Sequence, residues 1–316
     1  MYYIGADLGG TNIACAVVTK EGDLLGKSSI STALPDTPEA IAQRIANCCL
    51  LAVEATGCTM NEIESVGIGT PGIANSRDGI VEYSCNLGFL NTPLARMVEN
   101  QLGKPVYLEN DANAAALGEF VAGSGRGSDS LVAVTLGTGV GGGVVINRRL
   151  LTGFNFAGAE IGHFVMIEDG EPCSCGRNGC FEAYCSATAL IRQTCRAMES
   201  SPNSLMWREA KTLDAVSGRT AFDAMRLGDK AAQQVVDQYI RHLACGLTSI
   251  VNIFQPEILC VGGGICNEGE TLLAPVRKIL DREDYARNSR HRTKLLRATL
   301  GNDAGIIGAA LLPLYR

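Results

Sequence analysis

The sequence predicts an α/β protein built from two similar halves, and three observations carry this. Short β-branched strands alternate with helical patterns through residues 1–122, the signature of a layered α/β unit. A strand, a Gly/Thr turn and a returning strand open the chain, and the same plan recurs from Leu131. The chain has 316 residues, 46% of them apolar and 19% charged, which is enough length and apolar surface for a core in each half.

Taken in order, the chain reads as a strand from Tyr2, a tight turn at Asp7-Leu8-Gly9-Gly10-Thr11-Asn12, and a returning strand from Ile13 to Thr19. Lys20-Glu21-Gly22-Asp23 then turns into a third strand, Leu24 to Ile30. Asp36-Thr37-Pro38-Glu39 has a cap, a proline and an acid in the order that starts a helix, and apolar periodicity follows as far as Gly57. Ser65 to Gly69 is a buried strand ending at Thr70-Pro71-Gly72, Thr92 to Leu102 a helix, and Pro105 to Leu108 a strand. Glu109-Asn110-Asp111-Ala112 leads into an alanine-rich helix ending near Phe120. After a break at Gly123 to Ser128, the strand Leu131 to Leu136 turns at Gly137-Thr138-Gly139 into Val144-Val145-Ile146. Helices near 187–199 and 229–253, a strand Glu257 to Val261, a strand Leu295 to Leu300 and a last helix from Asp303 complete the reading.

The net charge of −6 leaves no basic field for steering onto nucleic acid. Asp7 interrupts any amino-terminal apolar segment, and the longest uncharged stretch, Ser130 to Asn147, holds five glycines within Gly137 to Gly143. Neither a signal peptide nor a membrane helix is expected. Thirteen cysteines, an odd number, read as thiols and metal ligands in a reducing cytoplasm rather than as a disulfide framework.

Three glycine turns stand out: Asp7-Leu8-Gly9-Gly10-Thr11, Leu136-Gly137-Thr138-Gly139 and Val261-Gly262-Gly263-Gly264. Backbone N–H groups can converge on phosphate oxygens in such turns because no Cβ blocks the approach. Gly137-Thr138-Gly139-Val140-Gly141-Gly142 also fits the dinucleotide pattern, but that pattern opens a helix, and here a β-branched run follows. No P-loop sequence is present.

Together the three turns resemble the phosphate 1, phosphate 2 and adenosine motifs of the actin-like sugar kinases. With the cysteine motif described below, the chain is similar to the ROK family and, within it, to bacterial glucokinases. The likeness ends at Gly301-Asn302-Asp303-Ala304-Gly305, which resembles the family's entry to its carboxyl-terminal helix. It implies a two-lobed actin-like, ribonuclease H-like fold with ATP and sugar in the cleft between the lobes and a small zinc-bound loop. The smaller lobe would span 1–122, joined by the helix 303–316, and the larger 123–302. It implies ATP contacts at Gly9, Gly10, Thr11, Gly137, Thr138, Gly139, Gly263 and Gly264, with Asp7 helping to hold Mg²⁺.

Phosphoryl transfer to a hydroxyl needs in-line positioning, charge neutralisation and a proton acceptor. Asp111 sits where a strand tip meets a helix start, which suits either a helix cap or a base; Glu109-Asn110-Asp111-Ala112-Asn113-Ala114-Ala115 resembles the family's catalytic segment and implies the base.

Cys173, Cys175 and Cys180, preceded by His163, offer the number and type of ligands that a closed tetrahedral zinc site requires. Four protein ligands leave no open position, so the metal would be structural and would fix a sugar-binding loop. His163 could then use its second ring nitrogen on a hydroxyl. The family likeness puts Asn110, Asp111, Glu160, His163 and Glu182 on the sugar, with Gly72 and Asn86 as further contacts. The other cysteines, among them Cys15, Cys48, Cys49, Cys245 and Cys260, read as core fillers.

The expected function is ATP-dependent phosphorylation of a hexose, most similar to glucose phosphorylation, by a homodimer or homotetramer. Mannose, fructose, allose, N-acetylglucosamine and N-acetylmannosamine are alternative acceptors. The other classes are a non-catalytic sugar sensor and a ROK-type repressor, the latter expected to carry a helix-turn-helix ahead of the first strand, which here begins at Tyr2.

Overall fold

In the computed structural model, which describes residues 1–315, the first strand already sets out the layers. Successive side chains of a strand point to opposite faces. Ile4, Ala6 and Leu8 of β1 (Tyr2–Leu8) therefore enter one core, and Tyr3 enters another. β1 pairs antiparallel with β2 (Asn12–Val18), and β2 with β3 (Leu24–Ser31). The first core is closed by α1 (Pro38–Glu54), whose start follows the expected grammar: the Thr37 side chain accepts from Ala40 N–H and Pro38 occupies the first turn.

β4 (Ile63–Thr70) lies parallel to β1. Next come β5 (Ile73–Asn75), β6 (Ile80–Ser84) and β7 (Phe89–Thr92), a small antiparallel sheet, and then α2 (Leu94–Leu102). β8 (Val106–Asn110) adds parallel to β4 and runs directly into α3 (Asp111–Val121). The five-stranded order is β3-β2-β1-β4-β8.

β9 (Leu131–Leu136), β10 (Val140–Ile146) and β11 (Arg149–Leu150) follow. Helices α4 (Glu182–Cys185), α5 (Ala187–Ser200), α6 (Met206–Glu209), α7 (Thr220–Arg226) and α8 (Lys230–Phe254) come next, then β12 (Ile258–Gly262), α9 (Glu270–Glu283), β13 (Lys294–Arg297) and α10 (Ala304–Leu311). The second sheet has the order β11-β10-β9-β12-β13, the same plan as the first. The duplication read from the two glycine hairpins is thus a duplication of topology.

By internal packing the described chain forms two units. One contains residues 1–133, 142–159 and the chain from Ala298; the other contains 134–141 and 160–297. These packing units run along the chain differently from lobes of 1–122 and 123–302. Residues 142–146 belong with α3 because Gly143 lies against it, where a Cβ would crowd Ala112 and Ala116. Arg316, the last residue of the expected helix 303–316, lies outside the described residues.

In the first unit the second face of the sheet is covered by α10: Ile306, Ile307, Ala310 and Leu311 pack on Tyr3, Ala16 and Val18. Approach is close. A Cβ on Gly5 or Gly67 would overlap the carbonyls of Ile306 and Ala309, and one on Gly118 or Gly308 would overlap those of Ala304 and Ala114. The sheet, α3 and α10 therefore meet backbone to backbone.

The structure corrects the element reading in several places, among them the strand read as Leu295 to Leu300, which ends at Arg297, and α9, which the sequence reading lacks. Asp7 and Leu8 belong to β1, so the first turn is only Gly9 to Thr11, closed by Gly9 N–H donating to the Asn12 carbonyl. β10 begins at Val140, ahead of the Val144 at which the returning strand was read, and its Gly143 lies where a Cβ would crowd α3. Residues 92–93 are not helical, since Thr92 closes β7. The sheet β5-β6-β7 has no counterpart in the sequence reading. No helix among the described residues is long and apolar enough to cross a membrane.

Candidate active site

Two carboxylates dominate the first unit. Asp7 is the penultimate residue of β1, with its carboxyl group beside the first turn of α10; a Cβ on Gly305 would stand 3.6 Å from the carboxyl carbon. Asp111 is the first residue of α3, delivered by the tip of β8. The helix is capped by Asn110, whose Oδ1 accepts from Ala112 N–H at 2.9 Å and Asn113 N–H at 3.2 Å. Asn110 thus does the capping that residue type alone would give to Asp111. The Asn110 Nδ2 group donates to the Gly72 carbonyl at 3.2 Å, joining two of the expected sugar residues. Gly72 holds φ +99° where a Cβ would overlap the Tyr83 carbonyl, and Asn86 is exposed in the turn between β6 and β7.

Burial raises Asp111 above the ordinary carboxylate range, against the opposing bonds from Ala112 N–H, its own N–H and Asn110. Burial, and then the charge of Asp111, raise Asp7 to about 6. A raised carboxylate is a better match for taking a hydroxyl proton near neutral pH. Two half-buried carboxyls, one of which raises the other, also fit a divalent cation, whose charge would offset both. Glu109, which the sequence reading passed over, is 1% exposed; its Oε1 accepts from Asn110 N–H at 3.0 Å and Asn113 Nδ2 at 3.1 Å. Its place beside Asn110 in a strand that feeds a helix was the available signal.

The first glycine turn is held from behind. Thr32 Oγ1 donates to the Gly9 carbonyl at 2.7 Å and Thr32 N–H to the Thr11 carbonyl at 2.8 Å, while Gly10 and Thr11 are exposed and Gly10 faces open space.

The second unit carries the other two turns. Ala187 N–H donates to the Gly137 carbonyl at 2.8 Å and Thr188 Oγ1 to the Thr138 carbonyl at 2.8 Å, so the start of α5 fixes this turn much as Thr32 fixes the first. Gly263 has φ +92° and lies against the backbone of Leu136, which seats the third turn on the end of β9; Gly264 faces open space.

His163 ends a short 3₁₀ turn, Ile161–His163, that starts at the exposed Glu160. One ligand atom from each of His163, Cys173, Cys175 and Cys180 lies within 4.8 Å of the others. Cys175 Sγ and Cys180 Sγ are 3.7 Å apart, and Cys173 Sγ is 3.5 Å from His163 Nδ1. Zinc–sulfur bonds of ~2.3 Å in a tetrahedron put sulfurs about 3.8 Å apart, so the spacing fits zinc. Burial and its two neighbouring thiols raise Cys180, a cost that a cation would offset.

Glu182 links this cluster to the second glycine turn. Its Oε2 accepts from Val140 N–H at 2.9 Å and its Oε1 from Ser174 Oγ at 2.7 Å, with Cys173 Sγ at 3.6 Å. A Cβ on Gly139 would overlap this carboxylate. Ser174 and Thr188, like Glu109, were absent from the sequence-derived site. Cys15, Cys48, Cys49 and Cys260 are buried as expected of core thiols, whereas Cys245 is exposed on α8.

Comparison with known proteins places the chain among relatives. A family model described as "ROK family" matches residues 3–315. A glucokinase from Thermotoga maritima is 40% identical over 309 residues, covering 97% of this chain and 95% of the relative. The crystal structure of a ROK family glucokinase from Streptomyces griseus, in complex with glucose and AMPPNP, superposes with a TM-score of 0.79 at 36% identity, covering 98% of each chain. A ROK hexokinase from Thermus thermophilus superposes with a TM-score of 0.83 at 34% identity, covering 99% of this chain and 97% of that one. With the motifs, the repeated actin-like sheet plan and the thiol-imidazole cluster in place, the chain belongs to the ROK family.

Proposed function

We propose that this chain transfers the γ-phosphoryl group of ATP to a hexose, with glucose the preferred acceptor and glucose 6-phosphate the product. The observation that carries the reading is the half-buried Asp111 at the tip of β8, raised above the usual carboxylate range, in a chain similar along its length to glucokinases. Asp111 accepts the proton of the attacking hydroxyl, and Asn110 and Glu109 hold the strand-to-helix junction that aims it.

Gly72, Asn86, Asn110, Asp111, Glu160, His163 and Glu182 bind the hexose; carboxylate, amide and imidazole groups suit hydroxyls because they accept and donate in fixed directions. Gly9, Gly10 and Thr11, Gly137, Thr138 and Gly139, and Gly263 and Gly264 bind ATP. Asp7 would hold Mg²⁺, which supplies charge neutralisation to the phosphates. His163, Cys173, Cys175 and Cys180 would hold a structural zinc that keeps His163 and Glu182 in place. The protein acts in the cytoplasm as a homodimer or homotetramer, a reading its thirteen cysteines, an odd number, support only as to compartment.

The test is sugar-dependent ADP release with Mg-ATP across glucose, mannose, fructose, allose, N-acetylglucosamine and N-acetylmannosamine, ranked by kcat/KM. A glucose optimum is expected. An optimum at another hexose would replace the sugar while keeping the chemistry, and silence on all six from folded, zinc-replete protein would overturn the kinase reading.

A further inference from the structure

Glu119 lies near the carboxyl end of α3 and is 3% exposed. Its carboxylate joins the turn just after α3 to a segment 180 residues away. Oε1 accepts from Thr299 N–H at 2.9 Å and Leu300 N–H at 2.8 Å. Oε2 accepts from Ser124 N–H at 2.9 Å and Ser124 Oγ at 3.1 Å, with Thr299 Oγ1 at 3.4 Å. The Glu119 carbonyl accepts from Gly123 and Gly125 N–H as well. Gly123 leaves the room: a Cβ there would overlap the carboxylate.

All of these donors are neutral, and most are backbone, so the carboxylate serves as a multi-armed acceptor rather than as half of an ion pair. The donors also have a particular place. Thr299 and Leu300 immediately precede Gly301–Asp303, the 3₁₀ turn that feeds α10. α10 begins at Ala304, and its second residue, Gly305, stands beside the Asp7 carboxyl group. The opposite end of α3 is Asp111. Glu119 therefore ties the origin of the helix that walls Asp7 to the helix that carries Asp111.

We propose that Glu119 is a positioning residue for phosphoryl transfer: its hydrogen bonds to Thr299 and Leu300 fix the start of α10 against α3 and so set Asp7 relative to Asp111. The proposal rests on the kinase reading above. A displacement of about 1 Å between reacting groups can cost ~100-fold in rate, so a clamp at this junction has catalytic consequences without touching substrate.

Glu119→Gln tests it, because an amide keeps the shape but turns N–H groups toward N–H donors and releases one of the two segments. In folded variant protein, checked by circular dichroism, kcat on glucose should fall about 10- to 100-fold. Glucose affinity by titration calorimetry should stay at the wild-type value, and amide exchange at Thr299 and Leu300 should speed up. A folded variant with faster exchange but wild-type kcat would overturn the positioning role and leave a merely structural clamp. Unchanged exchange would overturn the clamp itself. If Glu119→Gln does not fold, Thr299→Val, which deletes the one side-chain donor from the segment ahead of α10, should cost severalfold in kcat, and an unchanged kcat would overturn the proposal. Wild-type turnover measured alongside separates a failure of this proposal from a failure of the kinase reading.

Discussion

The two five-stranded sheets share one strand plan, β3-β2-β1-β4-β8 and β11-β10-β9-β12-β13, yet they carry different chemistry at equivalent places. In the first, the residue two before the glycine turn is Asp7; in the second it is Thr135. The last strand of the first sheet ends at Asn110 and delivers Asp111; burial raises both Asp111 and Asp7, and the charge of Asp111 raises Asp7 further. The second has neutral donors around its turns and a thiol-imidazole cluster tethered to one of them through Glu182. Divergence at the strand tips thus leaves the two halves with different groups beside the same kind of turn.

The largest expected effect comes from removing the carboxylate that has no counterpart in the second half. Asp111→Asn lowers kcat by ~100-fold or more while glucose binding by calorimetry persists; a wild-type kcat would reduce Asp111 to part of the helix start. Next, Asp7→Thr copies the second half's residue into the first, and a loss of about 100-fold in turnover is expected from the missing charge at the phosphates. Retained turnover in that variant would show the asymmetry to be incidental.

Breaking the second half's own feature is the third test. Cys175→Ser should remove zinc, read by elemental analysis, and cut turnover ~10-fold or more by freeing His163 and Glu182; full activity in zinc-free protein would detach the cluster from the site. The smallest effects separate glycines that look alike. Gly263→Ala meets φ +92° and the Leu136 backbone, so a loss of roughly 1–3 kcal/mol is expected in urea unfolding. Gly10→Ala faces open space and should stay within about 0.5 kcal/mol of wild type while raising the KM for ATP. Equal destabilisation by the two would contradict the packing described here.

Sequence reading reached the parts whose local signals agree with their tertiary setting. The hairpins, the capped start of α1, the strand feeding Asp111 and the thiol spacing all have short-range causes. It missed β5-β6-β7, whose strands are three to five residues long and leave Tyr83 and Leu90, a facing pair, exposed, so no burial alternation marks them. It began the returning strand near Gly143 and Val144 rather than at Val140, because glycine marks both loops and close packing, and the position of α3 beside Gly143 tells which. Glu109 and Glu119 escaped notice for a related reason. A charged residue on a helix or strand usually faces solvent, yet Glu109 is buried on its own neighbours Asn110 and Asn113, and Glu119 on a segment that the fold brings to it.

The central claim is that ATP turnover by this chain is phosphoryl transfer to a hexose. Phosphorus NMR of the products formed by wild-type protein from Mg-ATP and glucose tests it directly. The account predicts a sugar phosphomonoester appearing in step with ADP, and neither without glucose. ADP with free phosphate and no phosphorylated sugar would contradict it, as would no turnover at all.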